Sequence, residues 1–476
     1  MLSKGARYGD FMERKYLKDL IEWNEDSDRK PLLVVGARQV GKTYLIKNLF
    51  AEQFYKNKYV RIDCSNEPDF VDFVYRNDNL NKVIQYLQVN YDFVPDGSHL
   101  LIFDEVQECL PLIKMMKHFR EQRREIPLIV TGSLVRIKLH RQSHKRGGFA
   151  NKGFLFPVGN INKLMIYPLT FDEFLYNYRK SAYDFLKKSF ENKAVLDASI
   201  HEELMDIFHD YLFVGGMPEV VDTFIKAKDD KLLAYNKVNK KIKEVYDDYL
   251  NDMELYQVSK ESILKSRSIF NNIYTQLNKE NKNFKPSLIN DNYKSRDILT
   301  PIEWLVTANI INKSSLLKER VTYPLIAKET SSYRLYLADM GIFTFQSGLN
   351  AKKFIFNKDN SLSGIYYENY LSIELTARNY PLYYWKGKRN SEIEYLIDLD
   401  GNVVPIDCKK SRGVLNSLDE FRMHNKNNLA IKVSSNQYGY DEKNKILTLP
   451  FYYFSFFLNE NNKEKTPSKT IDEIFE

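Results

Sequence analysis

The feature that most constrains this chain is the segment PLLVVGARQVGKTYLIKNLF, which begins at Pro31. Its central residues, 36–43, match the pattern G-x-x-x-x-G-K-[S/T]. The aliphatic residues before the pattern predict a buried parallel strand, and the apolar residues after it recur at helical spacing. A glycine-containing loop between a strand and a helix lets backbone N–H groups point at phosphate oxygens. The segment therefore predicts a phosphate-binding loop within an α/β fold.

The residues of this loop have separate expected roles in binding a nucleoside triphosphate. Lys42 is expected to reach the β- and γ-phosphates, and the hydroxyl of Thr43 is expected to bind Mg²⁺. The helix that follows contributes the positive end of its dipole. The predicted ATP-contacting residues are Gly36, Ala37, Arg38, Gln39, Val40, Gly41, Lys42, Thr43 and Tyr44.

Such a site needs an acid from a second strand, and residues 99–105, HLLIFDE, supply it. Their aliphatic run predicts a strand that ends in Asp104 and Glu105. Asp104 is expected to hold Mg²⁺ through water. Glu105 is expected to polarise the attacking water, which is the role of a general base.

Two further strands are predicted in the same region. One covers 59–63, so that strands and helices alternate as in a doubly wound α/β domain. The other covers 127–131 and ends at Gly132-Ser133. Ser133 is a candidate sensor of the γ-phosphate, and a simple turn residue is the alternative interpretation.

Composition limits the class of protein. The chain has 476 residues and a mass of 56.2 kDa, which is enough for two or three domains. Three cysteines lie far apart without a CxxC pair, and the N-terminus lacks the apolar stretch of a signal peptide. Since no apolar run approaches the length of a membrane span, we expect a cytoplasmic protein without membrane partners.

Charge is mildly positive, and its distribution is uneven. The formal net charge of +7 permits nucleic-acid binding without requiring it. One basic segment covers 136–152 and lacks acidic residues, and a second, KGKR, covers 386–389. Solvated loops and nucleic-acid contacts are alternative interpretations of both.

Several motifs together resemble those of bacterial and archaeal AAA-type ATPases that carry a C-terminal domain of unassigned function. The resemblance rests on GARQVGKT, LLIFDEVQE, YPLTFDEFL and FVGGMPEVV, and it extends from about Arg14 to about residue 410. It implies ATP binding by Lys42 and Thr43, Mg²⁺ coordination by Asp104, hydrolysis assisted by Glu105 and a sensor at Ser133. No residue identifies an arginine finger, so a homo-oligomer that completes the ATP site in trans stays an open alternative.

The middle of the chain predicts long amphipathic helices from about Ala182 to Leu277. Within it, GGMPEVV at 215–221 has the Gly-Gly-x-Pro pattern that favours a turn followed by the start of a helix. Residues 301–315 predict a helix that runs into a strand, and a polar loop and YPLIA follow. This order suggests a winged-helix-like module that binds DNA or packs against other domains, although a basic recognition helix is not evident.

The segment SEIEYLIDLDGNVVPIDCKK, 391–410, predicts a charged hairpin. Asp400-Gly401 suits a two-residue turn, and that register places Glu394 opposite Asp407. Two facing carboxylates repel each other, so a metal ion, a lysine or both should compensate for them. Pro405 lacks an amide donor, which predicts an edge strand or a bulge. Side-chain alternation puts four charged residues on one face of the hairpin: Glu392, Glu394, Asp407 and Lys409.

A helix predicted from Ser363 contains Glu368 and precedes the hairpin. A helix with Glu, a strand with an acid and a strand with D-x-K occur in the order of the PD-(D/E)XK nuclease core, which this end of the chain resembles. The resemblance implies that Glu394 and Asp407 bind Mg²⁺, that Lys409 orients the attacking water and that Glu368 is the helix acid. Here the strand acid is Glu rather than the usual Asp, and the D-x-K acid is Asp where this group commonly has Glu. Ion pairing without catalysis is the alternative.

We therefore predict an α/β protein of three parts. Residues 1–180 form an AAA-type P-loop NTPase domain with a parallel sheet flanked by helices, 181–345 a helical and winged-helix-like region, and 346–476 a C-terminal α/β nuclease-like domain. With ATP and Mg²⁺ as cofactors, the nucleotide state is expected to regulate the nuclease-like domain on DNA or RNA. The alternative is an ATP-dependent switch or scaffold whose inactive nuclease-like domain binds DNA or a protein partner.

Overall fold

The computed structural model of the chain divides into two compact units. The described part of the first unit ends at Tyr167, and that of the second begins at Pro168. The structure describes residues 12–77, 79–133, 159–257, 259–318, 320–328, 332–356, 362–387, 391–409, 416–425 and 429–461. The basic segment predicted at 136–152 lies outside these residues. Of the second basic segment, 386 and 387 are described.

A parallel sheet of five strands forms the centre of the first unit. Its strands are β1 (Leu32–Gly36), β2 (Tyr59–Asp63), β3 (Leu100–Asp104), β4 (Leu128–Gly132) and β5 (Asn162–Ile166). They lie in the order β2-β3-β4-β1-β5, and every neighbouring pair is parallel. Because β1, β3 and β4 are buried along their whole length, their sequences are continuous aliphatic runs.

In the first unit one helix precedes β1, and the others connect successive strands and cover the sheet. They are α1 (Tyr16–Glu25), α2, α3 (Pro68–Arg76), α4 (Leu80–Tyr91) and α5 (Pro111–Gln122). Helix α2 starts with an α-helical turn, Lys42–Tyr44, and continues with π-helical hydrogen bonding over Leu45–Tyr55. Buried apolar side chains of α3, α4 and α5 form a core with the sheet, including Phe70, Val83 and Met116. The predicted α/β fold of this region is confirmed.

The strand order decides where a ligand can bind in the first unit. Since β4 lies between β1 and β3, the carboxyl ends of these three strands meet at one edge of the sheet. Ligands of open α/β sheets bind outside the carboxyl ends of the strands. The loop after β1, the acids at the end of β3 and Ser133 after β4 therefore lie at a single edge.

The second unit begins with a helical region. Its helices are α6 (Phe171–Tyr178), α7 (Lys180–Glu191), α8 (Ala198–Val214), α9 (Pro218–Lys226), α10 (Lys231–Tyr256), α11 (Lys260–Asn271), α12 (Ile273–Leu277) and α13 (Ser295–Thr307). The predicted helices between Ala182 and Leu277 are thus present. Pro218 stands in the first turn of α9, where a missing amide donor costs nothing, so GGMP is a turn followed by a helix start.

A mixed sheet of eight strands forms the second part of this unit. The strands are β6 (Ile311–Lys318), β7 (Tyr333–Leu337), β8 (Tyr383–Lys386), β9 (Glu392–Leu399), β10 (Asn402–Cys408), β11 (Ala430–Ser434), β12 (Gly439–Asp441) and β13 (Ile446–Pro450). Their order is β12-β13-β11-β10-β9-β8-β6-β7. The accompanying helices are α14 (Met340–Gln346), α15 (Ala351–Phe356), α16 (Gly364–Thr376), α17 (Asn416–His424) and α18 (Phe451–Asn461).

The helix and the strand predicted within 301–315 are both present, as α13 and β6. Strand β6 pairs with β7 on one side and with β8 on the other. The predicted domain boundary at 345 therefore runs between strands of a single sheet. The residues of YPLIA, 323–327, are described without a strand.

Helix α16 is buried on all sides, and its sequence is correspondingly apolar or aromatic around most of its circumference. Helix α18, which contains the FYYFSFF run, is also buried over Phe451–Leu458. None of the helices in the described ranges is long and apolar enough to cross a membrane.

The expectation that Pro405 marks an edge strand or a bulge is wrong. Strand β10 lies inside the sheet, between β9 and β11, and its pairing with β9 is regular through Pro405. Pairing with β11 begins one residue later, at Ile406. Alternate pairs of an antiparallel ladder exchange no hydrogen bonds. The position of the absent Pro405 N–H therefore faces away from β9, toward the side where pairing with β11 has not yet begun.

Candidate functional site

The loop between β1 and α2 adopts a backbone conformation that depends on its glycines. Gly41 has a φ of +86°, a region that residues with a side chain rarely adopt. A Cβ atom on Gly36 would lie 2.2 Å from the carbonyl oxygen of Ile166, which is too close for any other residue. Gln39 also has a positive φ, of +64°. The motif glycines are therefore required by the geometry of the loop.

The side chain of Lys42 is buried against its own loop. Its Nζ atom donates to the carbonyl oxygens of Gly36, at 3.1 Å, and Ala37, at 2.8 Å. The other side of the loop is held by Arg14, which is fully buried. The Nη1 atom of Arg14 donates to the Val40 carbonyl oxygen at 2.6 Å. The ammonium group thus lies inside the loop that would surround the phosphates.

Thr43 and Asp104 are in direct contact. The Thr43 hydroxyl donates to Oδ2 of Asp104 at 2.9 Å, although the two residues come from α2 and β3. The side chain of Asp104 is 1% exposed. The same Oδ2 atom accepts from Nε of Arg61 at 3.0 Å and from Nη2 at 2.6 Å. The structure thus brings together the two predicted Mg²⁺ ligands and adds an arginine that the sequence analysis missed.

Glu105 follows Asp104 in a left-handed backbone conformation, with a φ of +50°. Its carboxylate accepts a hydrogen bond from the side-chain amide of Gln107. Burial raises the pKa of Glu105, and the positive charge of Lys42 opposes that rise. Ser133 lies half-buried directly after β4. The predicted base and the predicted sensor therefore lie at the same edge of the sheet as Lys42.

Three features together define the fold of a P-loop ATPase. A strand, a loop and a helix surround a buried lysine, a threonine of that helix contacts the acid of a second parallel strand, and a glutamate directly follows that acid. The first unit has this arrangement. Comparison with families of known proteins agrees: residues 28–175 match the model of an AAA domain. Residues 28–175 are thus similar to an AAA domain, and the first unit has the fold of a P-loop ATPase.

The remainder of the chain matches families without assigned activity. Residues 205–353 match a domain of unknown function, DUF8612, and 363–452 match a second, DUF4143. No curated protein matches the chain in sequence.

Three solved structures illustrate the structural similarities. A Walker-type ATPase of Pyrococcus abyssi is 16% identical, with a TM-score of 0.43 over 72% of this chain and 97% of that one. A STAND protein with a tetratricopeptide repeat sensor, from Pyrococcus horikoshii, is 13% identical, with a TM-score of 0.26 over 78% and 49%. AMPPCP-bound DnaA from Aquifex aeolicus is 15% identical, with a TM-score of 0.26 over 63% and 92%.

The predicted hairpin of the second unit is present in the predicted register. Asn402 pairs with Leu399, and the ladder continues to Ile406 opposite Tyr395. Asp400 and Gly401 have φ values of +50° and +80°, as a two-residue type I′ turn requires. The register of the two strands could therefore be predicted from the turn dipeptide alone.

Glu394 and Asp407 converge on one lysine, as the register predicts. The Nζ atom of Lys409 lies 2.9 Å from Oδ1 of Asp407 and 3.3 Å from Oε1 of Glu394. Both acids are buried, and Oε2 of Glu394 accepts from the backbone amide of Cys408 at 3.1 Å. Burial raises the pKa of Glu394, Lys409 lowers it and Asp407 raises it, with a net upward shift. The second oxygen of Asp407, Oδ2, is buried without a hydrogen-bond partner among the described residues.

The helix acid Glu368 belongs to the same charged region. It accepts a hydrogen bond from Nζ of Lys282, a residue between α12 and α13. Burial lowers the pKa of Lys282, but the negative charges of Glu368 and Glu394 raise it by more, so the net shift is upward. Arg334 of β7 lies 3.9 Å from Glu368 and 2.5 Å from Glu392. Lys282 and Arg334 are thus two cationic residues of this region that the sequence analysis missed.

We refer to these eight residues as the charge cluster: Glu368, Glu392, Glu394, Asp407, Lys282, Arg334, Lys386 and Lys409. Lys386 completes it by contacting Glu392 at 3.2 Å. Glu392 was predicted on the same hairpin face as Lys409, but its ion-pair partners are Arg334 and Lys386. Within the described ranges, no group of three His, Cys, Asp or Glu side chains is positioned to hold a metal ion. The cluster contains four cationic side chains and four carboxylates.

The motifs YPLTFDEFL and GGMPEVV, on which the family resemblance partly rests, contribute residues to packing in the second unit. The carbonyl oxygen of Gly216 accepts from the Leu169 amide at 2.7 Å, and a Cβ on Gly216 would lie 2.1 Å from the Leu169 carbonyl oxygen. The amide of Gly216 donates to the buried carboxylate of Asp339 at 2.7 Å. Asp172 forms a buried ion pair with Arg378 at 3.1 Å. These motifs are therefore explained by close backbone approach and buried polar contacts.

Proposed function

We propose that this protein binds and hydrolyses ATP at the edge formed by β1, β3 and β4, with the roles predicted from the sequence. Lys42 would exchange its loop carbonyls for phosphate oxygens, and the N-terminus of α2 would face the same anion. The direct contact between Thr43 and Asp104 supports their assignment to one ion. Hydroxyl and carboxylate oxygens are ligands that Mg²⁺ prefers, so these residues fit it.

Glu105 is the proposed general base of ATP hydrolysis. A raised pKa brings a carboxylate closer to the working pH, which favours proton abstraction from water. The hydrogen bond from Gln107 would fix the orientation of its carboxylate. Bound Mg²⁺ would neutralise charge on the phosphates. Ser133 is assigned to contact the γ-phosphate, because β4 ends between the loop and the acids.

For the second unit we propose a metal-dependent nuclease site that acts on DNA or RNA under control of the nucleotide state. One observation carries this proposal: Glu394 and Asp407 from adjacent strands converge on Lys409, and one buried oxygen of Asp407 has no hydrogen-bond partner among the described residues. Two carboxylates suit Mg²⁺, which is commonly held by one or two carboxylates and water. Bound Mg²⁺ would lower the pKa of a water molecule and neutralise the scissile phosphate.

The protein's own residues have defined roles in this proposal. Lys409 would leave its two carboxylates to orient the attacking water and offset the developing charge on the phosphate. Glu394 must be ionised to act as a ligand, so Lys409 favours the active form by opposing the effect of burial. Glu368 would accept a hydrogen bond from the attacking water once Lys282 no longer donates to its carboxylate.

A second candidate function is supported by the number of cations in the charge cluster. Arg334 is fully buried, and Lys282 and Lys409 already neutralise the acids that a metal would need. Buried acids whose charge is already balanced by ion pairs need no metal for neutralisation. In this alternative, the ATPase domain works as a switch, and the second unit binds nucleic acid or a protein partner without cutting it.

One experiment distinguishes the two candidates. Purified protein is incubated with DNA and RNA in Mg²⁺ or Mn²⁺, with and without ATP. Lys409→Ala is compared with Lys443→Ala, which removes an equal charge at an exposed position of the same unit. Cleavage that is lost in Lys409→Ala and retained in Lys443→Ala supports the nuclease, and its loss in Lys42→Ala supports control by ATP. ATP hydrolysis without cleavage under any condition favours the switch.

Metal binding gives an independent test of the same proposal. In the Lys42→Ala background and without nucleotide, so that no metal–ATP complex forms at the first site, Mn²⁺ binding is measured by calorimetry. The nuclease proposal expects one binding event that Asp407→Ala removes. An unchanged Mn²⁺ isotherm in Asp407→Ala would contradict the assignment of Asp407 as a ligand.

A further inference from the structure

Arg61 makes a contact that the proposed ATPase mechanism does not use. Its guanidinium donates through Nε and Nη2 to a single oxygen of Asp104, Oδ2, at 3.0 and 2.6 Å. That oxygen also accepts from the hydroxyl of Thr43. The other carboxylate oxygen, Oδ1, accepts from the backbone amide of Glu105 at 3.1 Å. The oxygen of Asp104 that faces Thr43 is therefore the one that Arg61 holds.

The geometry of the sheet determines the position of Arg61. Strand β2 is the parallel neighbour of β3, and Asp63 lies in register with Asp104. Side chains at i and i+2 of a strand share one face, so Arg61 and Asp63 point to the same side. The Nη2 atom of Arg61 accordingly lies 3.3 Å from Oδ2 of Asp63. The guanidinium is thus held by two carboxylates, one buried and one partly exposed.

Two cations cannot both occupy the ion-facing oxygen of Asp104. A hydrated Mg²⁺ between Thr43 and Asp104 would need the oxygen to which Arg61 donates, and the two positive charges would repel each other. In the absence of the ion, a buried carboxylate without a cationic partner would be costly. Arg61 offsets that cost by contacting the buried oxygen directly. Its side chain is 26% exposed and retains Asp63 as a partner, so it can leave Asp104 without becoming unpaired.

We propose that Arg61 is a resident counter-cation that competes with Mg²⁺ for Asp104 and so sets how much Mg²⁺ the nucleotide site requires. The inference rests on the proposed role of Asp104 in ATP binding. It assigns Arg61 as a positioning residue, because it acts on Asp104 and not on the nucleotide. Exchange of Arg61 for Mg²⁺ links occupancy of the site to a movement of the side chain on β2.

Calorimetric titration of a non-hydrolysable ATP analogue over a series of Mg²⁺ concentrations, and in EDTA, tests this proposal. For Arg61→Gln we expect the half-saturating Mg²⁺ concentration to fall by roughly three- to tenfold, the range for loss of one partly exposed charged contact. Arg61→Lys keeps the charge with fewer donors, so a smaller decrease is expected, and it replaces Arg61→Gln if that variant does not fold. The control is Lys58→Gln, which removes an exposed charge just before β2 and should leave the requirement unchanged.

The outcomes separate this inference from the function on which it rests. Wild-type protein that shows no Mg²⁺-assisted nucleotide binding would overturn the proposed nucleotide site, and the inference with it. Normal Mg²⁺-assisted binding, with an unchanged or increased Mg²⁺ requirement in both Arg61 variants, would overturn the inference alone. An equal decrease in Lys58→Gln would also overturn it, because the effect would then belong to net charge.

Discussion

The nucleotide site and the charge cluster both place buried carboxylates where a metal ion is proposed, but they neutralise them differently. At the nucleotide site, one arginine contacts Asp104, and Glu105 is paired with the neutral amide of Gln107. In the charge cluster, four carboxylates are joined to four cationic groups, and Arg334 lies within 4 Å of both Glu368 and Glu392. The first site is therefore sparsely paired, whereas the second is an ion network.

The difference teaches that buried acids of similar appearance can have opposite effects when they are changed. A partly buried acid without an ion-pair contact among the described residues, such as Glu105, loses hydration and gains little stability in return, so its presence needs a functional reason. An acid within a paired network contributes to a structure that loses stability when either partner is removed. Substitutions that separate activity from stability are therefore the most direct test of the comparison.

Replacement of Glu105 should have the largest effect. Glu105→Gln keeps the shape of the side chain and removes the base, so we expect ATP hydrolysis to fall by roughly 10²- to 10⁴-fold while ATP binding remains. The unfolding midpoint should not decrease, since the substitution removes a partly buried charge. Phosphate release and calorimetry measure the two activities, and Glu121→Gln, at an exposed position of α5, is the control. Normal hydrolysis by Glu105→Gln would show that another residue is the base.

Replacement of Arg334 should have the next largest effect, on stability. Arg334→Met leaves the buried Glu368 and the partly exposed Glu392 without their shared cation, which should lower the free energy of unfolding by about 3–5 kcal/mol. Lys386→Met removes a 29% exposed partner of the same Glu392 and should cost less than about 1 kcal/mol. Urea denaturation of both variants measures the difference. Equal losses would mean that the cluster is not a buried network and would remove the contrast with the nucleotide site.

The two regions also differ in how much of them the sequence could predict. The contact between Thr43 and Asp104 follows from a motif whose spacing is fixed by phosphate chemistry, and the hairpin register follows from the dipeptide at 400–401. Thr43 and Asp104 are 61 residues apart, but each belongs to a locally recognisable pattern, and the turn at 400–401 acts over a few residues. The positions of Glu394, Asp407 and Lys409 were therefore predictable once the turn was recognised.

The cations that cover the acids were not predictable in this way. Arg61 is 43 residues from Asp104 along the chain, and Lys282 is 86 residues from Glu368. Lys282 belongs to the polar run NKENKNFK, which reads as a solvated loop because local sequence carries no information about a distant carboxylate. The alternation of Arg61 and Asp63 on β2 was the one available signal, since it places a cation on the same face as an acid.

Replacement of Lys282 should have an intermediate effect that differs between the two candidate functions. Lys282→Met leaves Glu368 without its ammonium partner, which should lower the free energy of unfolding by about 2 kcal/mol. If the acids form a metal site, Mn²⁺ should restore much of this loss and bind more tightly than in the wild type. Denaturation with and without Mn²⁺, in the Lys42→Ala background, gives both values. A loss of stability that Mn²⁺ does not restore would favour the scaffold and weaken the nuclease proposal.

The smallest expected effect is a pH dependence centred on Glu394. Because its pKa in the folded protein is raised above the ordinary value of 4.5, folding favours the protonated form. The resulting stability is present below pH 4.5 and is lost as the pH rises through the raised pKa. A metal ion needs the ionised form, so Mn²⁺ affinity should rise over the same window, by at most about tenfold per pH unit. Stability without metal and affinity for metal should thus change in opposite directions with pH.

Glu394→Gln distinguishes a metal ligand from a partner of Lys409 in this experiment. The variant cannot titrate at this position, so it should lose the pH-dependent part of the stability whichever candidate is correct. It should also lose Mn²⁺ binding if Glu394 is a ligand. Mn²⁺ affinity that keeps its wild-type magnitude and pH dependence in Glu394→Gln would mean that the ion binds elsewhere. The acids of the charge cluster would then serve to hold β9 and β10 to their lysines, and the contrast with the nucleotide site would be one between a structural network and a catalytic one.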